Sequence, residues 1–551
     1  MVNENGHRLT VTLVVLSLLG LAAPNTKAQT RGVLHSPLLV ERTHETFRVF
    51  PYLLRPSATG VTINWFTETP KSGTLRVVPA EGLGADTLRF ESRPVEPEAL
   101  GYTTTEAGLS LPDTFEGGNF KHSIRVEGLA PGRVYRYVVE QGGTRYEARF
   151  QAAPPSGKNV PVQFAVFADS ETSPAGRITR RTWVPGTQTP ASTGRPDTLE
   201  RYLLTEAQGF RENLRVLRRG APDFLMIAGD IVQGGGYQHA WDEFFFHTAG
   251  KFGNLLSYVP LLPAIGNWEN YGGKAYEDGY APRAIAAGRA KYASYFDTPP
   301  NGTPAHRGFY YRTDYGPVTV LTLDSSNGLP DSTDRDTNVH IDASTYPGDD
   351  LPDFNPGSRQ WRWAKRVLKA AHDAGQVIFV QFHHVPYSSG VHSLPLTAEG
   401  SSGQAGIPMR VYTSLFRKYG VAAVFSGHNE SFEHSVVEGI HFYDVGVAGD
   451  GFGYALDCED ERFENPHRVW VTHHDAPEHW DGTQLVSGGK HYGHLRVAVQ
   501  PRGAGRFDVR ITPVYVFPVT DESGTVTGME RRVYDDEVTF SYEPDVATSA
   551  P

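Results

Sequence analysis

Apolar and polar residues alternate along the chain between residues 47 and 155. In "GVTINWFTE", the side chains of Val61, Ile63 and Trp65 fall on one side of an extended segment, because neighbouring residues of a strand point to opposite faces. In "SIRVEGLAPGRVYRYVVEQ", two further strands are joined by a turn that contains Pro and Gly. The pattern predicts an all-β sandwich domain over residues 47–155, followed by a short linker.

The pattern changes after residue 160. Continuous apolar runs now alternate with segments in which apolar residues recur every three or four positions. This arrangement predicts an α/β domain whose sheet is covered on both faces. We place the domain at residues 160–517, with a C-terminal extension at 518–551. The predicted strands are 162–169, 223–230, 259–267, 318–326, 377–384 and 421–428.

Two amphipathic helices are predicted between these strands, because their apolar residues follow the helical repeat. The apolar face of the first consists of Leu203, Ala207, Phe210, Leu214 and Leu217. The apolar face of the second consists of Trp361, Ala364, Leu368 and Ala371. Ser358 precedes the second helix and is predicted to be its N-cap.

The N-terminus predicts export. Residues 9–23 form an apolar run that is too short to cross a membrane comfortably. A cleavage site is expected after Ala28, so residues 1–28 are predicted to be a signal peptide. We therefore expect a periplasmic or secreted bacterial protein, with no transmembrane segment in the mature chain.

The only cysteine is Cys458, so no intrachain disulfide can form. The net charge of −11 argues against nucleic-acid binding.

Five of the predicted strands end in residues that can bind a metal ion. These residues are Asp169 with Glu171, Asp230, Asn267 with Glu269, His383 with His384, and His428 with Glu430. In α/β sheets, ligands bind beyond the carboxyl ends of the strands. Five such ends in one domain therefore predict a metal-binding or active site.

The order and spacing of these strand ends resemble the calcineurin-like metallophosphoesterases. The matching motifs are "FADSE", "GDIV", "GNWEN", "FHHVPYSSG" and "GHNE". The most similar branch is the purple-acid-phosphatase-like one, which has an N-terminal fibronectin-type domain. The resemblance implies a metallophosphoesterase β-sandwich flanked by helices, preceded by an all-β fibronectin- or immunoglobulin-like domain. It also implies a site for two divalent ions that bind a phosphoester between them, and attack on phosphorus by a metal-held hydroxide. We expect monoesters to be hydrolysed more readily than diesters.

The resemblance also implies a role for each matching residue. Asp230 would bridge both metal ions, Asp169 would bind the first, and Asn267 would bind the second together with two histidines. We assign these histidines as His428 and His383. His383 is preferred to its neighbour because Tyr387 follows it by four residues, as in the family's pattern. By strand alternation, His384 is then expected to face elsewhere.

Two carboxylates depart from the family's pattern, where His or Tyr is usual. Glu171 follows Asp169 by two residues, and Glu430 follows His428 by two, so each pair is expected to share one side of an extended chain. The first site would then consist only of carboxylates, which favours Ca²⁺, Mg²⁺ or Mn²⁺. The second site retains two imidazoles, which suits Zn²⁺, Mn²⁺ or Fe²⁺.

A third departure concerns catalysis. Trp268 occupies the place of the histidine that the family positions near the leaving group, and an indole cannot donate or accept a proton in this role. His384, His392 or a metal-bound water would have to take over. The alternative is a catalytically degenerate protein that binds metal or acts as an extracellular adhesive module.

Two long loops, residues 173–198 and 327–357, are rich in polar residues and Pro. They are either solvated surface loops or a rim over the site. Three arginines of the first loop, Arg177, Arg180 and Arg181, are candidates for binding phosphate, or are simply solvent-exposed.

Overall fold

The structure is a computed structural model. It describes residues 46–81, 87–182, 201–276, 279–326, 354–394, 405–449, 465–471, 475–481, 484–490, 492–503, 505–520, 526–532 and 536–543. The predicted signal peptide, Cys458 and most of the two long loops lie outside these ranges.

Strands dominate the described chain. In chain order they are β1 (Phe47–Ser57), β2 (Gly60–Thr67), β3 (Gly73–Pro79), β4 (Leu88–Ser92), β5 (Phe120–Glu127), β6 (Val134–Gln141), β7 (Thr144–Gln151), β8 (Val162–Phe167), β9 (Arg180–Thr182), β10 (Arg201–Thr205), β11 (Phe224–Ile227), β12 (Leu261–Pro263), β13 (Tyr311–Tyr315), β14 (Val318–Thr322), β15 (Val377–His384), β16 (Val421–Gly427), β17 (Phe432–Val437), β18 (Ile440–Val445), β19 (Arg468–Val471), β20 (Asp475–Asp481), β21 (Gln484–Lys490), β22 (Tyr492–Gly503), β23 (Arg506–Thr520), β24 (Val526–Arg532) and β25 (Val538–Tyr542).

The helices are fewer. The α-helices are Thr104–Ala107, Glu206–Arg219, Gln238–Thr248, Pro282–Tyr295, Arg359–Asp373 and Thr413–Lys418. Short 3₁₀ helices are Glu98–Leu100, Pro174–Arg177, Leu255–Ser257, Trp268–Asn270, Gly273–Ala275, Pro304–His306, Val391–Ser393 and Ile407–Tyr412. Within the described ranges, no helix has both the length and the apolar composition that a membrane crossing requires.

Two large sheets form a sandwich. The first has ten strands in the order β24-β23-β22-β8-β11-β12-β1-β2-β5, with β25 paired to β23, and the second has seven in the order β13-β14-β15-β16-β18-β17-β19. Phe164 of the first sheet meets Phe379 and Phe425 of the second, with ring centroids 5.1 and 6.3 Å apart. This sandwich, with its helices, confirms the predicted mixed α/β fold.

The two predicted amphipathic helices are present. Ser358 caps the second, because its Oγ accepts a hydrogen bond from the N–H of Trp361 at 3.1 Å. The first is shorter than its apolar repeat predicts. Leu203 lies in β10, and the helix begins at Glu206 behind Thr205, whose side chain forms a capping box with Gln208. The capping box of Thr205 and Gln208, rather than the spacing of apolar residues, therefore determines where the helix begins.

The N-terminal region is divided between two sheets. β1, β2 and β5 extend the ten-stranded sheet, where β1 pairs in parallel with β12 through Leu54 and Leu261. β3, β4, β6 and β7 form a four-stranded sheet of their own. The region is therefore rich in strands, as expected. Its assignment to the fibronectin or immunoglobulin type, and the predicted domain boundaries, stay predictions. At the other end of the chain, β24 and β25 of the predicted extension also join the ten-stranded sheet.

A buried ion pair locks the N-terminal region onto the helix Gln238–Thr248. Arg48 donates from Nη2 to both carboxylate oxygens of Asp242 at 3.0 and 3.1 Å, and Tyr102 donates to the same carboxylate at 2.6 Å. Glu106 accepts the N–H of Gln238 at the start of the helix, where a carboxylate is favoured by the helix dipole. The side chains of Arg48 and Asp242 are only 2% and 4% exposed.

We expect Arg48→Ala to lower the free energy of unfolding by about 3–5 kcal/mol, because the substitution leaves the Asp242 carboxylate buried without its cation. Urea denaturation of the two proteins measures this loss. The matched control is Arg76→Ala, which breaks an ion pair with Glu140 whose side chains are 38% and 47% exposed. The control should lose less than about 1 kcal/mol. Equal losses for the two variants would contradict the role of the buried pair.

Candidate metal centre

The carboxyl ends of β8, β11 and β12 in one sheet meet those of β15 and β16 in the other. Asn267 lies at the centre of this junction. Its Oδ1 is 2.8 Å from Nε2 of His383 and 2.9 Å from Nδ1 of His428. Asp230 places an Oδ2 2.9 Å from the same Nε2 of His383. Asp169, Asp230 and His383 form one compact group whose ligand atoms lie within 4.8 Å of one another.

The orientation of His383 fits a metal ligand. Its Nδ1 lies 3.1 Å from the carbonyl oxygen of Ala228, which can only accept a hydrogen bond, so Nδ1 carries the proton. Metal-binding histidines commonly donate their second N–H in this way. Nε2 lies close to two oxygen atoms with lone pairs, Asn267 Oδ1 at 2.8 Å and Asp230 Oδ2 at 2.9 Å. A cation satisfies such a convergence of acceptors, and carboxylate, amide and imidazole are suitable donors for divalent ions.

The backbone bends sharply where the strands end. Five non-glycine residues have positive φ here, a conformation that is uncommon and strained for them. They are Asp169 (54°), Glu171 (37°), Asp230 (49°), His428 (80°) and Glu430 (49°). Strained backbone of this kind clusters at functional sites and is stabilised by the surrounding packing.

Glycines allow the carboxylates to approach the backbone. A Cβ on Gly427 would lie 2.0 Å from Oδ2 of Asp169, and a Cβ on Gly266 would lie 2.1 Å from Oδ1 of Asp230. Any larger residue would displace these carboxylates. Steric contact with these carboxylates therefore explains why glycine occupies the first position of "GHNE" and of "GNWEN".

Burial and like charges dominate the electrostatics. Burial raises the pKa of Asp169 well above its usual range, and the neighbouring carboxylates of Asp230 and Glu430 raise it further, although His383 lowers it. Burial likewise holds the pKa of His428 well below its usual value, and the adjacent imidazoles of His384 and His392 add to this effect. Bound cations would stabilise the ionised carboxylates and the neutral imidazoles.

Glu269 supports the site from behind. The strand-end pattern made it a possible ligand, but its carboxylate accepts backbone N–H groups of Gly266, Asp230, Ile231 and Val232 at 2.7–3.2 Å. Burial, together with the nearby Asp230 carboxylate, raises the pKa of Glu269 to about 8. Glu269 therefore fixes the backbone on both sides of Asp230.

The two additional carboxylates have different surroundings. Glu430 lies close enough to Asp169 to raise its pKa. Glu171 belongs to neither candidate metal-binding group, and it lines a small cavity with Glu243 and His247. The positive φ values at residues 169, 171, 428 and 430 remove the extended geometry on which the pairing of alternate side chains depended. The roles of Glu171 and Glu430 as ligands stay predictions.

The prediction that His384 faces elsewhere is wrong. Its ring centroid lies 4.8 Å from that of His383 and 4.5 Å from that of His428, and these three histidines form the second candidate group. The pairing of β15 with β16 shifts register between Gln381 and His384. Such an irregularity in a strand redirects side chains and interrupts their alternation.

His392 also reaches the site. Its ring lies 4.6 Å from that of His428, and burial, with a contribution from His383, lowers its pKa to about 4. Asn429 holds its backbone, because Oδ1 of Asn429 accepts the N–H of His392 at 2.9 Å while Nδ2 donates to Ser388 and Ser393. The sequence contains "GHNE" but no pattern that marks Asn429 as the anchor of this loop.

The loop arginines do not all face the site. Arg177 is held by Glu243, with Nε 2.8 and 3.0 Å from the two carboxylate oxygens, and by Asp113 at 2.5 Å. The guanidinium of Arg177 is therefore engaged in ion pairs with Glu243 and Asp113. The side chains of Arg180 and Arg181 lie outside the described part of the structure, so their part in phosphate binding stays a prediction.

Two solved structures share the overall fold of this chain. The purple acid phosphatase PPD1 from yellow lupin (Lupinus luteus) seeds superposes with a TM-score of 0.57 at 16% identity, over 90% of this chain and 74% of that one. The structure of PhoD superposes with a TM-score of 0.53 at 13% identity, over 93% of this chain and 92% of that one. No curated protein matches the sequence.

The family model of the calcineurin-like phosphoesterases matches residues 192–429. This segment contains four of the site residues, Asp230, Asn267, His383 and His428. Asp169 precedes the segment in the sequence, and folding brings it close to Asp230 and His383. Residues 192–429 of this chain are therefore similar to the calcineurin-like phosphoesterases.

Proposed function

We propose that this protein hydrolyses phosphoesters, monoesters more readily than diesters, with two divalent metal ions. The observation that supports this proposal is the cluster around His383 Nε2, which lies 2.8 Å from Asn267 Oδ1 and 2.9 Å from Asp230 Oδ2. His428 Nδ1 approaches the same Asn267 oxygen at 2.9 Å. The phosphoesterase domain supplies the reaction class, and the buried donors supply a place for the metal ions that this class of enzyme uses.

The residues divide into two proposed ligand sets around Asp230. Asn267, His383 and His428 would hold one ion, and Asp169 with Glu171 and Glu430 would hold the other. When bound, divalent ions stabilise charge on the phosphate oxygens and make the attacking water more acidic. The carboxylate-rich set favours Ca²⁺, Mg²⁺ or Mn²⁺, and the imidazole-containing set favours Zn²⁺, Mn²⁺ or Fe²⁺.

His392 is the proposed proton-transfer residue. Nδ1 of His392 is buried and has no hydrogen-bond partner among the described residues, whereas Nδ1 of His384 already lies 2.8 Å from Oγ of Ser325. A neutral imidazole at pH 7 gains a proton more readily once a phosphate dianion lies beside it, because an adjacent negative charge raises its pKa. His384 is better placed to act with His383 and His428, the other two members of its candidate metal-binding group.

A binding protein without turnover is the competing function. Trp268 favours it, because the residue at this position cannot transfer a proton. In that case the metal site would be structural, and the N-terminal region would contact partners. We also propose export to the periplasm or beyond the cell, from the apolar run at residues 9–23.

The first test is removal and return of metal. We expect the chelated protein to lose turnover of p-nitrophenyl phosphate and to regain it with Mn²⁺ or Zn²⁺. Its bis-ester should turn over more slowly. Asp230→Ala and Asn267→Ala should each lower kcat by about 100-fold or more, because each removes a group that holds the ions.

The control for these variants is Asp373→Ala, which removes a carboxylate that is 52% exposed on a surface helix and should leave kcat unchanged. Tight metal binding without turnover, with any of the metals added, would overturn the enzyme proposal in favour of the binding protein.

The second test is the dependence on the leaving group. His392→Asn should lower kcat for an alkyl phosphate by about 10²- to 10⁴-fold, the range for loss of a positioned acid. It should lower kcat much less for p-nitrophenyl phosphate, whose leaving group departs without a proton. The control is His372→Asn on the helix Arg359–Asp373. A loss that is equal for both esters would show that His392 does not protonate the leaving group.

A further inference from the structure

Three partly exposed aromatic residues form a continuous surface beside the candidate metal centre. We call Trp268, Tyr271 and Tyr280 the aromatic wall. The rings of Trp268 and Tyr271 meet edge to face with centroids 5.0 Å apart, and those of Tyr271 and Tyr280 lie 5.1 Å apart. By contrast, neighbouring aromatic residues such as Tyr292 and Tyr295 are fully buried.

Both ends of the aromatic wall join the metal centre. Trp268 follows Asn267 directly, and its backbone N–H donates to Oδ1 of Asp230 at 2.9 Å. At the other end, the hydroxyl of Tyr280 accepts from Nδ2 of Asn267 at 3.4 Å. A phosphoester whose phosphate lies at the metal centre would therefore extend its organic group along or next to these rings.

The backbone beneath the aromatic wall is tightly held. Gly235 donates its N–H to the carbonyl oxygen of Trp268 at 2.7 Å. A Cβ on either Gly235 or Gly288 would lie 2.0 Å from the carbonyl oxygen of Glu269. The turn at Glu269 therefore packs closely against both glycines. Gly272 donates to the carbonyl oxygen of Gly279 at 2.8 Å and closes the loop that returns to Tyr280. A surface that is already ordered loses little entropy when it binds a ligand.

We propose that the aromatic wall binds the planar, aromatic organic group of the phosphoester substrate. This inference rests on the proposed function, because the phosphate must first lie at the metal centre. Trp268 thus replaces a proton-transferring side chain with a stacking surface: its indole has a large apolar face but no acidic or basic group. Stacking of a planar group on an aromatic side chain favours binding by about tenfold or more.

The test compares two esters with similar leaving groups. 2-Phenylethyl phosphate and 2-cyclohexylethyl phosphate both release a primary alkoxide through a two-carbon linker, and their rings are of similar size, but only the first ring is planar. We expect the wild-type kcat/KM to be about tenfold higher for the phenyl ester. The ratio should fall towards one in Trp268→Ala and be largely retained in Trp268→Phe. The control, Trp361→Ala on the helix Arg359–Asp373, should keep the wild-type ratio.

A second readout does not need turnover. 2-Phenylethylphosphonate and its cyclohexyl counterpart cannot be hydrolysed, and their dissociation constants with the metal-loaded protein should differ by about the same tenfold factor. Hydrolysis of both esters with equal kcat/KM in the wild type would overturn the aromatic wall as a specificity surface and leave the proposed function standing. Absence of any hydrolysis, with a retained preference for the phenyl phosphonate, would overturn the proposed function but not the aromatic wall.

Discussion

The site depends on the crowding of buried hydrogen-bond acceptors at the carboxyl ends of five strands. Asn267 Oδ1 lies within hydrogen-bonding distance of ring nitrogens of His383 and His428, and the same nitrogen of His383 lies within that distance of Asp230 Oδ2. The Nδ1–H of His383 is directed away from this group, towards the carbonyl oxygen of Ala228. Burying such groups without a positive charge is costly. The rest of the site can be understood as the support that holds these acceptors in place.

The backbone supplies that support in two ways. Residues with positive φ turn the chain immediately after β8, β11 and β16, where Asp169, Asp230 and His428 lie. Glu269 then accepts hydrogen bonds from four backbone N–H groups around Asp230, which fixes the turn. The N-terminal region adds to the same sheet through β1 and holds the helix Gln238–Thr248 through Arg48. The candidate metal centre is therefore built on a large, continuous scaffold.

The amino-acid sequence predicts much of this arrangement. The apolar runs predict the strands, and the polar residues after them predict the cluster of Asp169, Asp230, Asn267, His383 and His428, because strand ends meet at one edge of a sheet. Prediction fails where side-chain direction depends on local backbone. Alternation does not apply at residues 169–171 or 428–430, where φ is positive, and it fails at His384 because the strand pairing shifts register there.

Other features depend on contacts between segments that are far apart in the chain. Arg177 becomes an ion-pair partner of Glu243 only after folding brings their segments together. The aromatic wall likewise requires a closed loop to bring Tyr280 back to Trp268 through Tyr271. The sequence marks Trp268 as an exception to the family's motif, but only the fold shows the surface that it joins.

The most direct test of the central claim is the number of divalent ions that the protein binds. Titration of the chelated protein with Mn²⁺, followed by the electron paramagnetic resonance signal of free Mn²⁺, gives both the stoichiometry and the affinity. The crowded acceptors predict that two ions bind per chain, and that Asn267→Ala weakens the binding by about 10- to 100-fold or more. Binding of no Mn²⁺ by the wild-type protein, or equal binding by wild type and Asn267→Ala, would contradict this account.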